Sequence, residues 1–407
     1  MRWVWVALAL VLVAMGVALW WLLSGPERPA PSGPAAVGTR HFSVGGPGHT
    51  NRWGAHTGEA REVEVRVWYP AEVGAEPRLS AADGQVGAAF GRLYGFPVPA
   101  SDGSLSSSHI DAAVAVGSPR PVVVFSHGAF GDPRQNHTTM EELASHGFVV
   151  VSVGHTHEAV MTLLPDGRAI ELDPGLQGAM AQIGRTSAAH AVDYVDALNA
   201  LTGAEDAAAA RDAAVALGTV YRRMWSGLPV SLDTLLQTRI DDLRRVLAAL
   251  GAWSADPDHP QHGAVDMRRV ALMGHSLGAY TVVHAVVENQ IDAQAVVALD
   301  IPYFVLHDDG GYQMDRPPLS LYAERTQLGG GHAARTTGAN RFVSTRGESA
   351  EVAGASHMNL SDMNFLPRAL RFAKLLGPVD GAEASLEVNG AVRDFLLAQL
   401  GDGPGDG

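Results

Sequence analysis

RRVALMGHSLGAYTVVHAVVE (268–288) decides the fold. Val270 to Met273 form a short apolar run, the pattern of a strand buried on both faces. Gly274-His275-Ser276-Leu277-Gly278 follows, and then the helix-compatible run TVVHAVVE (281–288). G-x-S-x-G between a strand and a helix is a nucleophile elbow. So tight a turn forces the serine into a strained conformation and leaves its neighbours no room for side chains, which accounts for Gly274 and Gly278. It also lifts the Ser276 hydroxyl above the sheet edge, with backbone N–H groups facing a substrate.

Outward from this turn, strand-like and helix-like segments alternate. EVEVRVWYP (62–70) alternates charged and apolar residues, as an early antiparallel strand does, and Pro70 is expected to end it. PVVVFSHG (121–128), FVVVSVGH (148–155), AQAVVALD (293–300) and PPLSLYAE (317–324) read as buried strands. MEELASHG (140–147), QTRIDDLRRVLAALGAW (237–253), ALRFAKLLG (369–377) and VRDFLLAQLG (392–401) read as helices; the second carries an apolar stripe at Ile240, Leu243, Val246, Leu247 and Leu250. RFVSTRG (341–347) is strand-like, and EVAGAS (351–356) reads as a loop. This rhythm implies a mainly parallel sheet covered on both faces.

A serine hydroxyl needs a base to act as a nucleophile at neutral pH. In hydrolases with this elbow the chain order is Ser, acid, His. Four histidines follow Ser276: His284, His307, His332 and His357. His284 lies within the following helix, and His307 and His332 lie in Gly- and Asp-rich loops. His357 precedes the polar cluster Asn359, Ser361 and Asp362 and is the expected base. Asp300 ends the strand after the elbow and is the expected acid, with Glu324, at the end of the next strand, as its rival. The loop Ser126-His127-Gly128-Ala129 follows another buried strand, so the N–H groups of Ala129 and Leu277 are the expected oxyanion donors. His127 reads as a residue that orients this loop. His155 and His157 form an isolated H-x-H without a third ligand, so neither a metal nor a cofactor is expected.

The chain has 407 residues, 46 % of them hydrophobic, enough for a large core. Its formal charge of −14 argues against nucleic acid as a partner. The absence of cysteine excludes disulfides, thiolate catalysis and Cys-ligated zinc. Trp3 to Leu23 contains no charged residue and has tryptophans at both ends, which reads as a transmembrane helix within residues 1–24. This would make a single-pass protein of a bacterial cell membrane, its large domain outside the cytoplasm. The alternative is a cleaved signal peptide and a secreted or periplasmic domain. Residues 25–38 are rich in Pro, Gly and Ala and read as a semi-rigid linker; the main domain spans 39–400, and 401–407 form a disordered tail. Residues 157–231 break the strand–helix rhythm and read as an inserted helical cap or lid.

PVVVFSHGAFGDPRQNHTTMEELASHGFVVVSVGH (121–155), GHSLGAY (274–280), ALDIPYF (298–304), PLSLYAERTQ (318–327) and HMNLSDMNF (357–365) resemble, in order, the platelet-activating factor acetylhydrolases. The likeness covers roughly residues 60–155 and 239–375. It implies an α/β-hydrolase fold and a metal-independent serine esterase that releases short or oxidised acyl chains from phospholipids. It also implies Asp300 as the acid in preference to Glu324, and maps the oxyanion donors onto Ala129 and Leu277. The chain departs from the family in having Gly278-Ala279 where Gly-Gly is common, in the large insert, and in its N-terminal segment. A general carboxylesterase, a polyester hydrolase or a dienelactone hydrolase is the alternative, and a non-enzymatic anchored binding protein is a further one.

Overall fold

A run such as VVVF has no polar face, so it is stable only with apolar cover on both sides. β6 (Arg120–Ser126) is such a strand. With β7 (Val149–Gly154), β10 (Val265–His275), β11 (Ala295–Leu299), β12 (Leu319–Arg325) and β13 (Glu348–Ser356) it forms the parallel half of an 11-stranded sheet. The other strands are β1 (Val37–Val44), β2 (Val63–Glu72), β3 (Arg78–Ser80), β4 (Leu105–Ile110) and β5 (Ala113–Val114). The order is β13-β12-β11-β10-β6-β7-β2-β1-β4-β3, with β5 on β2, and β2 runs antiparallel to both β7 and β1. The computed structural model describes residues 5, 11–17, 21–22, 24–95, 104–301, 318–325, 348–368 and 375–401.

Helices cover both faces: α1 (Gly84–Tyr94), α2 (His137–Ser145), α3 (Pro174–Ala189), α4 (Ala191–Thr202), α5 (Ala207–Met224), α6 (Leu232–Ala255), α7 (Leu277–Val287) and α8 (Gly381–Leu400). Alternate residues of β6 feed opposite cores. Val122 and Val124 join the cluster that includes residues of α3 to α7. Val123 and Phe125 join the cluster with Met140 and Leu143 of α2 and Val392 and Phe395 of α8.

Several expectations are corrected. Trp3–Leu23 does not give the expected transmembrane helix: among the described residues no helix is long and apolar enough to cross a membrane. Of that stretch, Trp5, 11–17 and 21–22 are described, and they are helical. Its other residues lie outside the described ones, as do 341–347, 369–374 and 402–407.

β2 continues through Pro70 to Glu72. N–H groups alternate sides along a strand; Ala71 donates to Ala36 on the β1 side, so position 70 faces the β7 side, where pairing has stopped at Trp68. EVAGAS is not a loop but the C-terminal part of β13, paired in parallel with β12.

The expected linker is packed against the domain. Ser32 N–H donates to Glu142 Oε2 at 2.7 Å, Gly33 N–H to Ser145 Oγ at 3.0 Å, and Arg368 Nη1 to the Ser24 and Gly25 carbonyls at 3.1 and 3.0 Å. Residues 157–231 hold a short hairpin, β8 (Met161–Leu163) with β9 (Ala169–Glu171), that the sequence did not announce. Their helices bury Leu198, Leu201 and Leu217 in the same cluster as Leu235 and Val282, so they form a layer of the core on that face.

Candidate active site

The parallel strands β6, β10, β11 and β13 deliver their C-terminal ends to one edge of the sheet, where crevices form in open α/β folds. β10 runs into Ser276, which caps α7 with φ 54° and ψ −119°, a strained backbone for a residue with a side chain. The flanking glycines are sterically required. A Cβ on Gly278 would lie 1.9 Å from the Ser126 carbonyl oxygen, and one on Gly274 would lie 2.3 Å from the Gly278 carbonyl carbon and oxygen. Ser276 N–H donates to the Leu299 carbonyl at 2.9 Å, which draws the turn to the end of β11, one residue before Asp300.

Asp300 is buried. Its backbone N–H donates to the Leu321 carbonyl at 2.7 Å, and its Oδ1 accepts the Ala323 N–H at 3.0 Å. Its Oδ2 receives a short hydrogen bond from His357 Nδ1. His357 follows β13 directly and opens a 3₁₀ turn whose Asn359 Oδ1 accepts the Ser356 N–H at 2.8 Å. The rival Glu324 faces elsewhere, its Oε2 accepting the Gly354 N–H at 2.5 Å. His307 and His332 lie outside the described residues. The structure thus brings Asp300 and His357 together beside the Ser276 turn.

Sequence reasoning missed the residue that ties this turn to the Ser126–Ala129 loop. Gln135 Oε1 accepts the Gly128 N–H at 2.7 Å, and its Nε2 donates to His275 Nδ1, also at 2.7 Å. His275 Nε2 then donates to the His357 carbonyl at 3.1 Å. Both ring nitrogens of His275 are thereby assigned in the neutral form, and burial, with His357 beside it, lowers its pKa to about 3. One glutamine and one histidine join the loop carrying Ala129 to the backbone of His357.

A second missed group lies beneath the loop. Arg239 of α6 is fully buried; its Nε donates to Glu158 at 2.8 and 2.7 Å, and its Nη1 to the His127 carbonyl at 2.7 Å. His127 Nδ1 donates to the Gly128 carbonyl at 2.7 Å, while its Nε2 accepts the His155 N–H at 3.2 Å. Burial, then the nearby Arg239, hold the His127 imidazole well below its usual pKa, so it orients the loop as a neutral ring. Both ring nitrogens of His155 have partners: its Nε2 contacts Ser126 Oγ and its Nδ1 contacts Asp242 Oδ2, each at 2.9 Å. Burial opposes charge on Asp242, but Arg61, at 2.6 Å from its Oδ2, outweighs it and holds the carboxyl well below the carboxylate range. His157 stacks on His56 at 4.1 Å, and among the described residues its buried Nδ1 has no hydrogen-bond partner. Among the described residues no group of three His, Asp or Glu is placed to hold a metal ion.

A cavity of about 810 Å³ opens beside Ala129 and runs past Met358, the residue after His357. None of the described residues within 157–231 lines it.

The family model described as "Platelet-activating factor acetylhydrolase, isoform II" matches residues 103–171 and 259–402, just over half of the chain, and takes in Ala129, Ser276, Asp300 and His357. A platelet-activating factor acetylhydrolase of Gallus gallus is 25 % identical over 296 residues, covering 71 % of this chain and 64 % of that protein. One of Cavia porcellus is 24 % identical over 309 residues, covering 72 % and 60 %. The chain therefore spans less than two thirds of these curated relatives. The solved structure of a ferulic acid esterase from Streptomyces cinnamoneus has a TM-score of 0.64 at 22 % identity, covering 93 % of this chain and 94 % of that one, a likeness of fold.

Proposed function

This chain belongs to the platelet-activating factor acetylhydrolase family, and from that premise and the geometry at Ser276 we propose that it hydrolyses carboxylic esters through a Ser276–His357–Asp300 triad. The observation that carries this reading is the hydrogen bond from His357 Nδ1 to the buried Asp300, beside a serine in a strained strand-to-helix turn. Asp300 accepts from Nδ1, which leaves Nε2 of the neutral ring as the base. In the proposed cycle Ser276 Oγ attacks the ester carbonyl carbon and His357 Nε2 takes the hydroxyl proton. The N–H groups of Ala129 and Leu277 hold the oxyanion; Leu277 opens α7, so its N–H has no intrahelical partner. His357 returns the proton to the departing alkoxide as the C–O bond breaks. A water molecule, deprotonated by His357, then attacks the acyl-enzyme, and collapse releases the acid and Ser276.

Short or oxidised acyl groups of phospholipids are the proposed substrates, in keeping with the names of the curated relatives. Ser276→Ala tests the core of the reading. It should abolish fluorophosphonate labelling and lower ester hydrolysis by ~10³-fold or more, with the melting temperature nearly unchanged. Activity close to wild type in Ser276→Ala would remove the assignment. A panel of phospholipid and simple alkyl esters separates the phospholipid substrate from a general carboxylesterase.

A further inference from the structure

We infer that residues 24–30 form a fixed wall of the substrate cavity, and that this cavity takes the apolar limb of the ester; the inference rests on the ester-hydrolase reading above. Ala129, whose N–H is a proposed oxyanion donor, lines the cavity, so a carbonyl held by that N–H directs one limb of its ester into it. Phe90 of α1, Met358 and Phe365 supply apolar surface, and the N-terminal segment closes the space with Pro26 and Pro29. The volume of about 810 Å³ lies within the range of small-molecule pockets.

The charged groups in the lining other than Glu27 already have protein partners. Asp362 accepts from Thr138 N–H and Oγ1 at 3.0 and 2.6 Å, Glu141 accepts from Ser108 Oγ at 2.5 Å, and Arg134 reaches the Ser80 carbonyl at 3.3 Å and Asp83 at 3.5 Å. What remains for a ligand is mainly the apolar surface.

The wall is held at both ends. At one end Arg368 donates to the Ser24 and Gly25 carbonyls. Gly25 is seated so closely that a Cβ there would lie 2.0 Å from the Phe365 carbonyl oxygen. In the middle Arg28 donates to Ser104 Oγ at 3.1 Å, and its guanidinium lies 5.1 Å from the centre of the Phe365 ring. At the other end Ser32 and Gly33 are tied to α2 through Glu142 and Ser145. Pro26 and Pro29 restrict the backbone between these ties. A segment that the sequence presents as a spacer is built into the domain as part of the binding surface.

The test uses the full chain and three variants away from the triad. Gly25→Ala forces the wall off Phe365, Arg28→Ala removes its middle tie, and Pro29→Trp leaves the ties and fills the space. Each is assayed on p-nitrophenyl esters of increasing acyl length and on acetate esters of alcohols of increasing length. In the series whose limb enters the cavity, the longest ester should lose about tenfold or more in kcat/KM, while the shortest ester changes by no more than about twofold. The series that responds identifies the limb as acyl or alcohol. Pro29→Trp, with the wall still tied, separates a specificity effect from loss of folding. Equal changes at every length in both series, or none in any of the three variants, would overturn the inference while leaving the esterase intact. If wild-type protein cleaves no ester and takes no fluorophosphonate on Ser276, it is the premise that fails.

Discussion

Asp300→Asn is the substitution whose outcome the geometry fixes most tightly. Among the described residues the carboxylate accepts two hydrogen bonds: Oδ1 from the Ala323 N–H at 3.0 Å, and Oδ2 from His357 Nδ1. An asparagine fits the same space but has only one acceptor oxygen. If that oxygen stays on Ala323, the NH₂ group faces His357 Nδ1, which must then accept, and the ring proton moves to Nε2. Every group remains paired, but Nε2 no longer has a lone pair for the Ser276 proton. If the amide flips instead, its NH₂ meets the Ala323 N–H, leaving a buried donor without an acceptor at about 1–3 kcal/mol. The unflipped state is therefore the populated one, and it carries the wrong tautomer.

The expected loss in kcat is ~10³–10⁴-fold, equivalent to about 4–5.5 kcal/mol of transition-state stabilisation at ~1.4 kcal/mol per tenfold. Because the swap preserves volume and pairing, the melting temperature should hardly move. Initial rates on p-nitrophenyl acetate measure the first quantity, thermal melts the second, and ¹⁵N-detected NMR of the His357 ring reads the tautomer. Glu324→Gln is the control, since Glu324 accepts from Gly354 N–H rather than facing the histidine. An Asp300→Asn enzyme within tenfold of wild type, or a larger loss in Glu324→Gln, would refute the reasoning.

Gly278→Ala puts a methyl 1.9 Å from the Ser126 carbonyl oxygen and drives the elbow away from the oxyanion loop, so kcat should fall by about 10²-fold or more; a variant with normal rates would show that the turn tolerates a side chain. Arg239→Met leaves Glu158 buried without its partner and should cost ~3–5 kcal/mol in urea unfolding, with much of the loss recovered in Arg239→Met/Glu158→Leu. A loss under about 1 kcal/mol would mean that Arg239 is not what neutralises Glu158. His275 has a folded pKa of about 3, below the ~6.5 of an unfolded histidine, so the unfolded chain takes up the extra proton between those values. Stability should therefore be lost as pH falls through that window, by up to ~1.4 kcal/mol per pH unit from this group. His275→Asn should flatten the slope of urea stability between pH 7 and pH 4.5, and an unchanged slope would assign the loss to other groups.

The parallel strands and the elbow were legible because local chemistry determines them. VVVF and AVVAL are buried wherever they pack, and the tight turn at Ser276 excludes side chains whatever surrounds it. The pairing of Asp300 with His357 was legible by chain order, since Asp300 ends the strand after the elbow and His357 comes late. What escaped detection depends on contacts between distant segments. Nothing in EVAGAS marks an edge strand, because its pairing with β12 supplies the order that its composition does not. Gln135 lies 140 residues from the His275 it orients. The Pro/Gly composition of residues 25–36 reports a backbone that forms no regular element, not one without contacts: prolines have little conformational entropy to lose on docking, so such a segment is well suited to a fixed wall. One missed group did leave a trace. Arg239 and Asp242 fall four and seven residues after Leu235, on the side of α6 that carries the buried Leu243 and Val246. A buried helix face places charges there only when partners meet them, and the partners here are Glu158, Arg61, His49 and His155. The interruption of that apolar stripe by two opposite charges was the sequence's signal that polar groups lie beneath the Ser126–Ala129 loop.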